Sequence, residues 1–282
     1  MRTSSLVFLS LHTRTFILCV LATLISCTHT LDPCHQRTDD LPCLHVPNCT
    51  TGTATYHHFQ ITNVNTSQPA TEPTTGTICY NNFGISIKEY ATDSHVFTPW
   101  THCNSPVFQR SSVLEIFVAP VYSVTDNPVW YFELDTAPSG ALWAGLSNNS
   151  RGNSTTCVAA QGCHSSGTLQ CSGTNTFDKS LTTKAFNTST GWGIEINVPW
   201  QLFPPEFQPN STGVGVQGVV DEGDVLLLPT LLPHPTWRMN FYRYSYPNGA
   251  NSGFTNYELS GWSPTHDPSF HVPAKFGVIV LV

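Results

Sequence analysis

The sequence predicts an all-β sandwich, and three observations carry that expectation. Hydrophobic residues make up 40% and aromatics 11% of the 282 positions, enough to build a core and too many for a disordered chain. Nineteen Gly and 21 Pro interrupt the chain, and short apolar runs recur between turn signals such as Asn81-Asn82, Pro138-Ser139-Gly140 and Pro247-Asn248-Gly249. Beyond the N-terminal segment no stretch keeps a helical period. Charge narrows the partners. Only 10% of residues are charged, and 11 Lys+Arg against 18 Asp+Glu leave a net charge of -7. A nucleic-acid partner is excluded, and an anionic membrane is a poor one.

Taking the chain in order, Arg2 and Arg14 flank a polar lead, and Phe16 to Ile25 form a short apolar run ending in Ser26-Cys27. This is the layout of a cleaved secretory signal over residues 1–27, too short to span a bilayer. A secreted, extracellular protein without stable membrane insertion is expected. Leu24-Ile25-Ser26-Cys27 also matches a bacterial lipoprotein cleavage box, which would leave Cys27 lipidated. Removing the signal leaves Cys34, Cys43, Cys49, Cys79, Cys103, Cys157, Cys163 and Cys171, an even set without a C-x2-C zinc pair. Disulfides are expected, with their connectivity open. Sequons at Asn48, Asn65, Asn148, Asn153, Asn187 and Asn210 are glycosylation candidates, and all six read as loop positions.

Residues 28–74 read as a Cys-rich leader that supplies a first edge strand between Tyr56 and Val64. The sandwich proper is expected from 75 to 282, interrupted at about 145–190 by a disulfide-stapled insertion rich in Ser, Thr, Asn and Gly. Four strands carry the functional argument, because successive side chains point to opposite faces. In Val113–Val118 both faces are apolar except for Glu115, which shares its side with Val113 and Phe117. Trp130, Phe132 and Leu134 oppose Tyr131, Glu133 and Asp135. Trp192, Ile194, Ile196 and Val198 oppose Glu195 and Asn197. Trp237, Met239 and Phe241 oppose Arg238, Asn240 and Tyr242. A polar face of carboxylates, amides, a guanidinium and aromatic edges has two readings. It is a solvated outer face, or it binds a neutral polyhydroxylated ligand through hydroxyl chelation and ring stacking.

The segments Val113-Leu114-Glu115-Ile116-Phe117, Tyr131-Phe132-Glu133-Leu134-Asp135, Gly191 through Trp200, Trp237 through Arg243, Gly261-Trp262-Ser263-Pro264 and Pro273-Ala274-Lys275-Phe276-Gly277 occur in an order that resembles family 9 carbohydrate-binding modules and their DOMON-like relatives, from about Thr75 to the C-terminus. The resemblance implies an antiparallel jelly-roll-type sandwich, often an accessory to glycan-degrading enzymes and sometimes carrying structural calcium. It also implies a sugar held between two aromatic rings. The second ring position is Phe270 here, and the first falls at Phe108 or Gln109. The sugar-bonding Glu is kept as Glu115. An Asn near the second ring becomes Asp267, and a sugar-contacting Arg becomes Glu133. The expected carbohydrate site therefore combines Phe108, Phe270, Glu115, Asp267, Glu133 and Arg238.

Other chemistry is expected to be absent or secondary. Trp237 and Trp262 read as core or corner aromatics, Met239 as packing rather than a haem ligand, and His57-His58, His95 and His102 as surface groups. Asp221-Glu222-Gly223-Asp224 offers carboxylates for a structural calcium, and no other cofactor is implied. Glu133 with Asp135, or with Glu195, has the spacing of a glycosidase pair, but no nucleophile, base and orienting group assemble elsewhere. The expectation is a non-catalytic carbohydrate binder. The alternative is a structural or adhesive sandwich that has lost its sugar site.

Overall fold

Period-two alternation sorts the side chains into a shared core and two outer faces. The computed structural model describes residues 32–35, 40–64, 66–102, 105–121, 123, 125–128, 130–148, 156–159, 165–166, 170–171, 181–203, 236–249 and 256–282. The strands are β1 (Cys43–Val46), β2 (Ala54–Tyr56), β3 (Gln60–Ile61), β4 (Thr74–Tyr80), β5 (Gly84–Thr92), β6 (Val113–Val121), β7 (Trp130–Thr136), β8 (Leu142–Asn148), β9 (Thr156–Ala159), β10 (Ser165–Ser166), β11 (Gln170–Cys171), β12 (Thr182–Asn187), β13 (Gly191–Pro199), β14 (Thr236–Ser245), β15 (Glu258–Gly261) and β16 (Gly277–Leu281). The first sheet has the order β1-β16-β14-β6-β7-β8-β9, with β15 bridging β14 and β3. Within it β1 runs parallel to β16. The second sheet is β12-β13-β5-β4-β2, antiparallel throughout. No helix among the described residues is long and apolar enough to cross a membrane.

The apolar sides of the strands meet in one core. Leu114, Ile116, Val118, Phe132, Leu134, Trp237, Met239 and Phe241 come from the first sheet, and Ile85, Ile87, Trp192, Ile194, Ile196 and Val198 from the second. Burying a large apolar side chain contributes roughly 1.5–3 kcal/mol, so these alternating positions hold the layers together. Trp237, Trp262 and Met239 lie in this core, as expected. His57, His58, His95 and His102 are exposed.

All three turn signals turn the chain. Asn81 Oδ1 accepts from the Phe83 and Gly84 amides at 2.8 and 3.2 Å between β4 and β5. Gly140 between β7 and β8 has φ +82°, and Gly249 beyond β14 has φ +77°, a conformation open to glycine without a Cβ clash.

The leader differs from its expected form. It is woven into both layers, β1 pairing with β16 and β2 with β4, and the 74/75 boundary falls at the start of β4. Cys34–Cys43 closes the leader on itself and Cys49–Cys79 fastens it to β4. The region 145–190 also supplies edge strands, β9 beside β8 and β12 beside β13. β12 buries none of its side chains fully, so it carries no apolar alternation to reveal it. Cys157 and Cys171 fall in β9 and β11. Cys103 and Cys163 lie outside the described residues, as do residues 1–27 and Asp221–Asp224. Asn148 and Asn187 are the last residues of β8 and β12, not loop positions. The Asn48 side chain accepts from the Thr50 amide and hydroxyl. Asn65, Asn153 and Asn210 lie outside the described residues.

Candidate functional site

The outward face of the first sheet brings the chemistry together in two adjoining rows. Registers between β14, β6, β7 and β8 align Tyr242, Glu115, Asp135 and Trp143 in one row, and Asn240, Phe117, Glu133 and Gly145 in the next. This face is not solvated. Glu115, Glu133 and Asp135 are 2%, 4% and 0% exposed, because two segments roof it. Val107 and Trp100 pack over Val113, Ala137, Trp143 and Tyr244 at one end. Phe270 and Phe276 pack with Phe117, Tyr131 and Tyr242 at the other.

One carboxylate oxygen from each of Glu115, Glu133 and Asp135 lies within 4.8 Å of the others. Ser147 Oγ donates to Glu133 at 3.4 Å. Neither oxygen of Asp135 has a hydrogen-bond partner. Burial pushes the Asp135 carboxyl well above the ordinary carboxylate range, and the like charges of Glu115 and then Glu133 add to the shift. His271 stands 3.8 Å from Glu133 and shares a 2.7 Å hydrogen bond with the Tyr131 hydroxyl. Its burial lowers it to about 4, so near pH 7 it is a neutral imidazole.

Trp143 supplies the aromatic face. A Cβ on Gly145 would stand 2.3 Å from the indole, so the ring lies across the glycine, in the row that contains Glu133. Trp143 is half-buried, and Phe108, also half-buried, meets it edge-on at 5.4 Å and 73°.

Of the expected site residues, Glu115 and Glu133 come together and Phe108 adjoins them through Trp143. Phe270 lies on the same face, but it is 3% exposed and stacked on Tyr242 at 4.1 Å and 7°. Its ring is occupied by protein. Arg238 is corrected to a structural role. It is fully buried, and its guanidinium donates to the Phe276, Ala274 and Asp126 carbonyls at 2.6 to 3.1 Å, pinning the roof. Asp267 is exposed in a turn, where its carboxylate accepts from the Ser269 amide at 2.8 Å. Sequence reasoning overlooked Trp143 and His271. The signal for Trp143 was its place in Leu142-Trp143-Ala144-Gly145, where a large residue precedes by two a glycine on the same face.

A second, shallow groove of about 280 Å³ crosses the outer face of the other sheet, lined by Thr77, Ser86, Lys88, Glu195 and Asn197 among others. Its polar groups satisfy one another: Lys88 pairs with Glu195 and Ser86 with Asn197, both at 2.7 Å. It behaves as a solvated sheet face.

No protein-family profile and no curated protein matches the chain. Among solved structures, a suspected carbohydrate-binding protein from Bacteroides uniformis aligns over 86% of this chain and 97% of its own, with a TM-score of 0.51 at 13% identity. The chain shares that fold. Family 9 carbohydrate-binding modules from Caldicellulosiruptor kristjanssonii also align. The glucose complex covers 80% of this chain and 84% of its own, with a TM-score of 0.40 and 10% identity. The cellotriose complex covers 85% and 93%, with a TM-score of 0.41 and 11% identity.

Proposed function

We propose that this protein is a secreted, non-catalytic carbohydrate-binding protein whose ligand docks at the outward face of the first sheet. One observation carries the reading: a half-buried indole lies across Gly145 beside carboxylates on neighbouring strands. Sugar rings present apolar C–H faces that stack on indole, and their hydroxyls donate to carboxylates. Trp143 acts as the platform and Phe108 as its flank; Glu133 and Glu115 accept only through their remaining 4% and 2% exposure beneath the roof. Phe270, Arg238 and Asp267 shape the roof. The order of the sequence segments supports the reading, as does a fold shared with a suspected carbohydrate-binding protein. Two disulfides among the described residues fit an oxidising, extracellular compartment.

A weak module of this kind binds at roughly millimolar to micromolar Kd. On a glycan array the mature chain is expected to retain at least one glycan, and Trp143→Ala to lose it. Absence of all binding in the wild type sinks the function, and undiminished binding by the variant sinks the site. A structural or adhesive role is the second reading, and the covered faces of Phe270 and Arg238 favour it. It predicts an empty array.

A further inference from the structure

We infer that Glu115, Glu133 and Asp135 form a binding site for a divalent cation of the hard, oxygen-preferring class, calcium above magnesium. The inference shares residues with the carbohydrate reading and does not rest on it. Oxygens that ligate one Ca²⁺ at about 2.3–2.6 Å sit at most about 5 Å apart, and the three carboxylate oxygens meet that limit. The independent pointer is Asp135. It is fully buried, both of its oxygens lack a hydrogen-bond partner, and it faces the other two carboxylates. A buried carboxylate without donors is costly unless something positive meets it.

Among the described residues, the two arginines of β14 are committed elsewhere. Arg238 spends its guanidinium on roof carbonyls. Arg243, on the opposite side of β14, is held by Glu72 and Asp93. A cation bridging β6 and β7 would meet this need. Its remaining coordination positions suit water or hydroxyl oxygens. All three ligands are carboxylates without a thiolate among them, which favours a hard ion over a soft one.

The test uses the full mature chain stripped with EDTA and titrated with CaCl₂ in the absence of sugar. Calcium is expected to bind with a Kd on the order of 10⁻⁴ M, as in extracellular modules, and to raise the melting temperature; MgCl₂ should bind at least about tenfold more weakly, because Mg²⁺ demands tighter octahedral geometry. Asp135→Asn keeps the size of the side chain but removes the carboxylate that would ligate the ion, so it is expected to lose the calcium-dependent rise. An equal rise in the variant overturns the site, as does no rise in the wild type at about 10 mM Ca²⁺, well above that Kd.

Asp221, Glu222 and Asp224 are a separate calcium candidate, so Tb³⁺ luminescence localises the ion. Excitation through Trp143, opposite Asp135, is expected to sensitise Tb³⁺, and Trp143→Phe to cut the emission severalfold while Ca²⁺ still displaces the probe. Emission unchanged in that variant overturns the placement. Calcium uptake by a chain that binds no glycan sinks only the carbohydrate reading. Glycan binding without any calcium uptake sinks only the cation.

Discussion

At the scale of single residues, the stability of this sandwich depends on charges placed where apolar groups surround them. Glu89 on β5 occupies a core-facing position between Ile87 and Ala91 and is fully buried. Desolvation pushes its carboxyl up to about 8, and the Tyr56 hydroxyl offsets only part of the shift. In the unfolded chain the group ionises near pH 4.5; in the fold it keeps its proton until about 8. Stability from this group is therefore whole below about pH 4.5 and declines as pH rises to 8, by on the order of 4 kcal/mol. Urea melts at both ends of that window are expected to show this loss in wild type, and Glu89→Gln to show less of it and to be the more stable protein at pH 8. Arg243 is the complementary case. Its buried guanidinium contacts Glu72 at 3.0 Å and Asp93 at 3.6 Å, and Trp192 Nε1 also donates to Asp93. Arg243→Met leaves two buried carboxylates uncompensated and should cost about 3–5 kcal/mol in urea unfolding. Alternation on β14 puts Arg243 on the core side, but Glu72 lies 171 positions away. The sequence shows a guanidinium pointing inward and nothing of what receives it.

At the scale of elements, β8 decides whether the outward face can hold a ring. Trp143 lies over Gly145 because that position has no side chain to lift the indole. Gly145→Val is expected to displace the far end of the indole while sparing the core, whose β8 residues Leu142 and Ala144 point the other way. Glycan binding by calorimetry should be lost with the melting temperature nearly unchanged; retained affinity would remove Trp143 as the platform. The same element shows what was legible. The alternation of β7 and β14 was readable from residue types, so Glu133 and Asp135 could be placed on one face of β7; β6 is apolar on both sides except for Glu115, which joined the expected site through the family resemblance. The burial of that face was not readable, because the segments that roof it carry no period and owe their position to contacts such as Arg238 with Phe276.

At the scale of the whole molecule, the leader acts as a fastener between layers. β1 closes one edge of the first sheet, β2 closes one edge of the second, and Cys49–Cys79 ties the segment between them to β4. Cross-linking a loop of this length stabilises a fold by about 3–4 kcal/mol in the chain-entropy description. Replacing Cys49 and Cys79 together by Ala is expected to lower the melting temperature by several degrees and to leave the outward-face site intact, as checked by calorimetry with the glycan that the array identifies.

What the amino-acid order determined unaided was the fold class, the turns and, in the strands that alternate, the side of the sheet on which each residue lies, because side-chain direction along a strand is a local property with a period of two. Tertiary structure alone decided that the polar face is covered, that Phe270 and Arg238 serve the roof, that Glu115 is in register with Asp135 beside Glu133, and which cysteines pair in the leader. Those outcomes depend on register between strands and on segments far apart in the chain, where burial and desolvation are set by neighbours that no local pattern identifies.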